Sequence, residues 1–135
     1  ANGSRENVYS GFGFDRFMTI NDFQDAEKLR GMVSDAATYD KILEMLESDS
    51  APQFIFDVTM QNHSGYDTGL LPPDKLNNYL IDGAVNNEVN EYLSLIEESD
   101  RALKDFVGKL RKLDRPVVLV FFGDHQPFFQ PLVHQ

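Results

Sequence analysis

A carboxylate and an imidazole stand side by side at residues 124 and 125, directly after the most apolar run of the chain. That run, residues 117–122, reads Val-Val-Leu-Val-Phe-Phe, and Gly123 separates it from Asp124 and His125. Aspartate oxygens and neutral imidazole nitrogens are both common ligands of divalent metal ions. The pair therefore indicates half of a metal site, although a solvated aspartate beside a histidine that caps a turn would have the same sequence.

The residues before this pair predict the element that positions it. A β-branched, apolar run bounded by Gly is typical of a strand buried on both faces, as in a parallel sheet. Gly123 ends the run and allows a sharp turn. Open α/β sheets bind their ligands at the carboxyl ends of the strands. Asp124 and His125 are therefore expected at the edge of the sheet where ligands bind.

A second predicted strand brings further polar groups to the same edge. It covers residues 53–60, and His63 follows it closely. One long helix is predicted from about residue 86 to residue 113, between the two strands. A strand–helix–strand unit nearly always forms a right-handed crossover between parallel strands, so both strands end at one edge. We therefore expect His63, Asp124 and His125 to lie close together.

The remaining elements are predicted from caps and turn residues. Ser34 caps a helix over residues 36–47, and an Asn-Asp pair at residues 21 and 22 caps a helix over residues 23–29. Residues 9–23 are predicted as ordered loop with one short strand near residues 16–20, and residues 62–73 as loop. Together these elements predict an α/β domain with a mostly parallel sheet and helices on both faces.

Composition narrows the class of protein. The chain has 135 residues, the length of one ordinary domain, and a net charge of −10. This charge argues against a nucleic-acid partner, because phosphates need a basic surface. The absence of Cys excludes disulfides and thiolate chemistry. No apolar run reaches the roughly 18–20 residues that span a bilayer. Both ends look cut, so the chain is expected to be a truncated piece of a larger protein.

Three stretches, in this order, resemble one known family. Residues 4–17 contain Ser-Arg-Glu-Asn-Val-Tyr and then Gly-Phe-Asp-Arg-Phe. Residues 54–66 read Phe-Ile-Phe-Asp-Val-Thr-Met-Gln-Asn-His-Ser-Gly-Tyr, and residues 122–127 read Phe-Gly-Asp-His-Gln-Pro. These stretches resemble the lipoteichoic acid synthase group of sulfatase-like proteins, which belong to the alkaline phosphatase superfamily. The resemblance runs from about Arg5 to Pro127.

The resemblance implies a domain organisation. Residues 1–135 would form the C-terminal portion of a sulfatase-like, phosphoglycerol transferase catalytic domain with an alkaline-phosphatase-like α/β fold. Residues 1–20 would be a loop region on the substrate side, and residues 53–125 a βαβ unit that carries half of the metal site. Such proteins are anchored by transmembrane helices, which this chain lacks, and their catalytic domain faces the outside of the cell.

The resemblance also implies a chemistry. Members of the group take the glycerophosphate head from phosphatidylglycerol and pass it to a growing polymer or a glycolipid. A Thr nucleophile attacks phosphorus, and an early Glu, that Thr and a late Asp-His pair hold Mn²⁺ or Mg²⁺. Asp124 and His125 match the late pair. His63 and Arg5 match residues that contact the substrate, and an Arg fork suits phosphate well. The Glu and the Thr would precede this chain, which is therefore predicted to contain no catalytic nucleophile and to be inactive alone.

Three functions stay open. The first is a phosphoglycerol transferase of the cell envelope, the second is a sulfatase or phosphoester hydrolase on the same frame, and the third is a catalytically inactive binding domain. The expected partners are an anionic phospholipid head group and a glycolipid or polymer acceptor, without nucleic acid. An open sheet edge would invite pairing with a second copy, so self-association of the chain is also expected.

Overall fold

The computed structural model describes residues 5–81 and 83–129, and Ser4, which begins the first family-like stretch, lies outside them. None of the helices within these ranges is long and apolar enough to cross a membrane. In chain order, the elements are α1 Arg5–Gly11, a 3₁₀ helix Ile20–Phe23, β1 Lys28–Leu29, β2 Met32–Val33, α2 Asp35–Ser48, a 3₁₀ helix Pro73–Lys75, β3 Leu80–Ile81, β4 Ala84–Val85 and α3 Asn87–Leu110.

A capping side chain precedes each of the two long helices, and of these two caps Ser34 was predicted. The Ser34 hydroxyl accepts a hydrogen bond from the Ala37 amide at 3.2 Å, and α2 extends one residue beyond the predicted helix at each end. The Asn86 side chain accepts from the Val89 amide at 3.0 Å at the start of α3. The predicted long helix is thereby confirmed, with its last turn ending at Leu110.

Helices α2 and α3 pack against each other and form the first core cluster. Its buried residues are Tyr39 and Leu43 from α2, with Phe106 and Leu110 from α3. The rings of Tyr39 and Phe106 are nearly parallel, with centroids 4.6 Å apart. These four residues lie at helical spacing, so each helix presents one apolar face to the other.

A second core cluster joins the middle of α3 to the loop that follows the first predicted strand. Tyr66 and Leu71 come from this loop and Leu95 from α3, and Tyr92 and Phe129 pack against them. The prediction of a loop over residues 62–73 is confirmed apart from the short 3₁₀ turn that begins at Pro73. The loop is therefore polar in sequence, but two of its apolar side chains fix it to α3.

The N-terminal region contains a helix where loop was predicted. In α1, Tyr9 contacts the rings of Phe14 and Phe17, each with centroids 5.5 Å away. Tyr9 also approaches Phe56 at 6.0 Å, so α1 lies against the first predicted strand segment. The short strand predicted near residues 16–20 is wrong, because the Thr19 hydroxyl caps a 3₁₀ helix that begins at residue 20.

The helix predicted over residues 23–29 is also wrong, because a hairpin takes its place. Strands β1 and β2 pair antiparallel, with Leu29 opposite Met32. The two residues between them, Arg30 and Gly31, have φ angles of 53° and 80°. Positive φ at both central positions is the type I′ turn that matches the twist of a hairpin. This turn leaves the preceding residues no room to continue a helix.

The predicted parallel pairing of residues 53–60 with residues 117–122 is not observed. Within the described ranges, the ladders join only β1 to β2 and β3 to β4, and both are antiparallel. An extended segment becomes a strand only when a neighbour bonds to its main-chain N–H and C=O groups. Neither predicted segment has such a neighbour in the described part of the chain, and most of their side chains are exposed.

Candidate active site at the ends of the two apolar segments

Three of the predicted site residues lie close together. The rings of His63 and His125 meet edge to face, with centroids 6.4 Å apart. The Asp124 carboxylate lies 3.7 Å from Nε2 of His125. The two apolar segments therefore end side by side, as expected, even though they form no ladder with each other. His63, Asp124 and His125 are all exposed and form an open rim.

The main chain fixes the orientation of both imidazole rings. Nδ1 of His63 is 2.8 Å from the Ser64 carbonyl oxygen, and Nδ1 of His125 is 2.9 Å from the Gln126 carbonyl oxygen. A carbonyl can only accept, so Nδ1 donates its proton in each bond. In the neutral ring, Nε2 then carries a free lone pair. Imidazoles that bind metals usually donate their other N–H in this way.

Asp124 and His125 offer one oxygen and one nitrogen donor, both of which suit a divalent cation. The carboxylate offers oxygen and the ring offers Nε2, a set compatible with several divalent ions. Within residues 5–81 and 83–129, there is no group of three or more His, Asp or Glu side chains placed to hold a metal. No third His, Asp or Glu side chain of the described residues is therefore placed to complete a metal site with Asp124 and His125.

Gln61 anchors the segment that leads to His63. Its side chain is buried, and Oε1 accepts a hydrogen bond from the Asp35 amide at 3.0 Å. Its Nε2 donates to the Ser99 hydroxyl at 3.1 Å and to the Leu95 carbonyl at 3.4 Å. One side chain thus connects the end of the first segment to the start of α2 and to the middle of α3.

Arg30 anchors the loop beyond Gln61. Its guanidinium donates to the carbonyls of Gln61 at 3.0 Å, His63 at 2.9 Å and Gly65 at 2.7 Å. A fourth bond joins it to the Glu91 carboxylate at 3.0 Å. The turn of the β1–β2 hairpin therefore reaches the loop that carries His63.

Aromatic packing connects the two halves of the site. Phe129 follows the Asp124–His125 pair in sequence, and its ring lies 5.5 Å from those of Tyr66 and Tyr92. The Tyr66 hydroxyl donates to the Asn62 carbonyl at 2.9 Å. The loop after His63 and the segment after His125 are thus packed together on α3, which explains why their histidines meet.

Arg5, the fourth predicted site residue, is not joined to this rim. It is the first residue of α1 and is exposed. The contacts in the described part of the chain include no hydrogen bond or ion pair from Arg5 to His63, Asp124 or His125. Its assignment to the substrate site stays a prediction.

Two acids that lie close to Thr38 and Tyr39 of α2 were not predicted as a pair: Asp35, which is buried, and Asp57, which lies in the first predicted strand segment. Burial raises the pKa of Asp35, and hydrogen bonds, foremost from Ser99 at 2.5 Å, oppose the shift. Burial also raises the pKa of Asp57, which accepts from the Thr38 hydroxyl at 2.9 Å. Burial, then the charges of Asp35 and Asp57, raises the pKa of Tyr39 to about 12. The helical spacing places Asp35, Thr38 and Tyr39 on one face of α2, but it gives no signal for Asp57, which comes from a different segment.

Comparison with known proteins gives this arrangement a context. The sulfatase family profile matches residues 1–131. A capsular polysaccharide biosynthesis protein, RkpI of Rhizobium meliloti strain 1021, is 33% identical over 121 residues, which cover 87% of this chain and 20% of that protein. The lipoteichoic acid synthase-like protein YvgJ of Bacillus subtilis strain 168 is 27% identical over 128 residues, which cover 90% of this chain and 20% of that protein.

The chain spans about a fifth of the length of these two relatives. No solved structure matches it. Because the family profile covers nearly all of its residues, the chain belongs to the sulfatase family.

Proposed function

We propose that the chain is part of a metal-dependent phosphoglycerol transferase that acts on phosphatidylglycerol-type lipids in cell-envelope polymer synthesis. The observation that carries this proposal is the meeting of His63 with Asp124 and His125 at one exposed rim. The likeness to a lipoteichoic acid synthase-like protein supports the choice of a phosphoglycerol donor. The likeness to a capsular polysaccharide biosynthesis protein supports a place in the cell envelope.

Each site residue has a role that its chemistry permits. Asp124 and His125 would hold Mn²⁺ or Mg²⁺ through the carboxylate and Nε2. A bound divalent cation supplies electrostatic stabilisation of the charge that builds up on a transferring phosphoryl group. Nδ1 of His63 is hydrogen-bonded to the Ser64 carbonyl, so Nε2 is the ring nitrogen that would contact the substrate. Nε2 would accept a hydrogen bond from a substrate hydroxyl, or donate one to phosphate when it is protonated. Arg5 would bind phosphate through its guanidinium.

A sulfatase or phosphoester hydrolase is the second candidate, and the family match itself favours it. An oxygen and nitrogen donor pair at an open rim suits a sulfate ester as well as a phosphate diester. The difference between these two functions is the acceptor: water accepts the group in a hydrolase, and the hydroxyl of a glycolipid or polymer accepts it in a transferase.

We further infer that residues 53–60 and 117–122 are strands of a mostly parallel sheet, in a protein whose catalytic domain lies at the outer face of the membrane. The exposed apolar side chains of both segments support the first inference, since a sheet buried on both faces would cover them. The second rests on the proposed lipid donor, which is found in a membrane.

The transferase proposal is tested by substitutions in the whole protein that carries this chain. Asp124→Asn and His125→Gln should reduce diacylglycerol release from phosphatidylglycerol by about a hundred-fold or more. Substitution of residues that only hydrogen-bond to metal ligands already lowers activity about 10- to 100-fold. Both should also weaken Mn²⁺ binding measured by calorimetry. His63→Gln should lower release while leaving Mn²⁺ binding intact.

Asp40→Asn is the matched control, because Asp40 is an exposed aspartate on α2 that pairs with Lys109. It should change neither measurement. Full lipid turnover in Asp124→Asn would refute the metal role. Turnover of an aryl sulfate ester, with none of the lipid, would replace the transferase by the sulfatase.

A further inference from the structure

We propose that Arg30 is a positioning residue for His63: its guanidinium sets the conformation of residues 61–65 and thereby the direction of the His63 ring. The expected effect of Arg30 on turnover rests on the proposed function. Its effect on the conformation of residues 61–65 and on the His63 ring rests on the contacts alone. Arg30 bonds to the main-chain carbonyl of His63 and not to its ring. It acts through the main chain of the loop.

The first argument is the geometry of the bonds around the guanidinium. The carbonyls of Gln61, His63 and Gly65 are alternate groups along the chain, and all three point to Arg30. With the bond to Glu91, four of the five N–H groups of the side chain are used. Only a planar fork offers that many donors in fixed directions. The loop therefore takes its shape from one side chain.

The second argument is the burial of the ion pair. The side chains of Arg30 and Glu91 are only 2% and 4% exposed. Removing two charges from water costs energy, and apolar side chains of similar volume often give equal or greater stability. Stability is thus a weak reason for placing an ion pair here, whereas fixing one loop conformation is a strong one.

The third argument is that Glu91 holds the far end of the same loop. Its carboxylate accepts from the Thr68 amide at 2.7 Å and from the Thr68 hydroxyl at 2.8 Å. The Arg30 side chain also lies over the ring of Tyr66, 5.5 Å from its centroid. Arg30 and Glu91 together therefore hold the loop on both sides of its packed tyrosine.

The fourth argument is the backbone of Arg30. Its φ of 53° lies in the left-handed region, where side chains other than Gly, Asn and Asp are uncommon. Gly or Asn is the usual choice in a type I′ turn. An Arg at this position carries a conformational cost that its side-chain bonds must offset, so the turn serves to direct the guanidinium into the loop.

The link to His63 follows from these contacts. Arg30 holds the His63 carbonyl at 2.9 Å, and the ring bonds through Nδ1 to the next carbonyl, that of Ser64. A change in the direction of the His63 or Ser64 carbonyl therefore turns the His63 ring. Because the ring lies 6.4 Å from that of His125, such a turn alters the distance between His63 Nε2 and the metal pair.

The test is Arg30→Lys in the whole protein, since Lys keeps the charge beside Glu91 and loses the planar fork. We expect kcat/KM for the lipid donor to fall about 10- to 100-fold, the range seen for groups that orient active-site residues. Arg115→Lys is the matched control. Arg115 also donates to three carbonyls, those of Leu46, Asp49 and Ala51, at the other end of α2. It should leave kcat/KM unchanged.

A double-mutant cycle separates positioning from general loosening of the fold. If Arg30 acts through His63, Arg30→Lys should have almost no further effect on kcat/KM in a His63→Gln background. An equal fold-loss in both backgrounds would overturn the proposal, and so would unchanged kcat/KM in the single variant.

The structural consequence has its own readout, which does not depend on lipid turnover. In protein labelled at histidine, the ring signals of His63 should shift in Arg30→Lys and stay in place in Arg115→Lys. Unmoved His63 signals would overturn the proposal whatever the activity. A protein without lipid turnover but with shifted signals would refute the transferase function and leave the positioning role supported.

Discussion

At the scale of single residues, opposing effects act on the pKa of Asp35. As the first residue of α2, it lies where a helix favours negative charge. Burial nevertheless raises its pKa, and its Oδ1 atom has no hydrogen-bond partner in the described part of the chain. Loss of contact with water raises the pKa of Asp35 by more than the helix N-terminus and the Ser99 hydrogen bond together lower it.

The raised pKa has a defined effect on stability. Between the ordinary value of 3.8 and the higher value in the folded chain, the native state binds more protons than the unfolded state. The free energy of unfolding must then fall as pH rises through this window and level off above it. We expect Asp35→Asn to flatten this dependence and to be at least as stable as wild type at pH 7. Urea titrations from pH 4 to pH 8 measure it.

The exposed carboxylate of Asp40, on the same helix, provides the comparison. Asp40→Asn should leave the slope of unfolding free energy against pH near that of wild type. An Asp35→Asn variant with the wild-type slope would show that the buried acid does not contribute.

At the scale of elements, the buried face of α3 contains polar as well as apolar side chains. Leu95 and Ile96 are adjacent apolar residues of α3. In the structure, Leu95 is fully buried and Ile96 is 39% exposed. The polar residues Asn90, Glu91 and Ser94 are buried instead. Loops that return to α3 need hydrogen-bond partners, so polar side chains occupy part of its inner face.

This difference predicts unequal costs for two neighbouring substitutions. Leu95→Ala should lower the free energy of unfolding by about 2–5 kcal/mol, because it removes buried methyl groups and leaves a cavity. Ile96→Ala should cost less than about 1 kcal/mol, as exposed positions do. Denaturant titrations of both variants measure the difference. Equal losses would mean that the face of α3 is rotated from the one described.

At the scale of the whole molecule, family membership implies an alkaline-phosphatase-like α/β fold. Two apolar segments lie on the surface of the described part of the chain. Large hydrophobic side chains are exposed along residues 54–60 and residues 117–122. Val118 is 92% exposed. Apolar segments that form no ladder within the described part of the chain are surfaces on which polypeptides pair with other chains. A net charge of −10 opposes such association but does not cover the apolar groups.

The 135-residue polypeptide is therefore expected to self-associate at micromolar concentration. Lys substitutions at Val118 and Phe122 together should shift it toward monomer, because charges on a strand edge oppose pairing. Val85→Lys on the β3–β4 hairpin is the control for added charge, since Val85 is also an exposed valine. Size-exclusion chromatography with light scattering measures the mass. A wild-type chain that elutes as monomer would contradict the expectation.

Sequence reasoning succeeded where the determining interactions are local. Ser34 caps α2 through the amide of a residue three positions away, so this cap was predicted from the sequence. The turn at Arg30 was not, because an Arg with positive φ is held by partners more than thirty residues away. The same holds for the predicted strands, whose pairing depends on a neighbour that local spacing does not specify. The meeting of His63 with His125 was predicted correctly, although it depends here on aromatic packing rather than on a shared ladder.

The hydrogen bonds from Nδ1 of His63 and His125 to main-chain carbonyls have a consequence for chemical modification. An electrophile such as diethyl pyrocarbonate requires an unprotonated ring nitrogen, and in His63 and His125 only Nε2 offers one. Carbethoxylation at neutral pH should therefore add one group to each ring rather than two. A divalent cation that occupies the lone pair of His125 would shield that ring and leave the other reactive, so peptide mass mapping could report occupancy of each histidine separately.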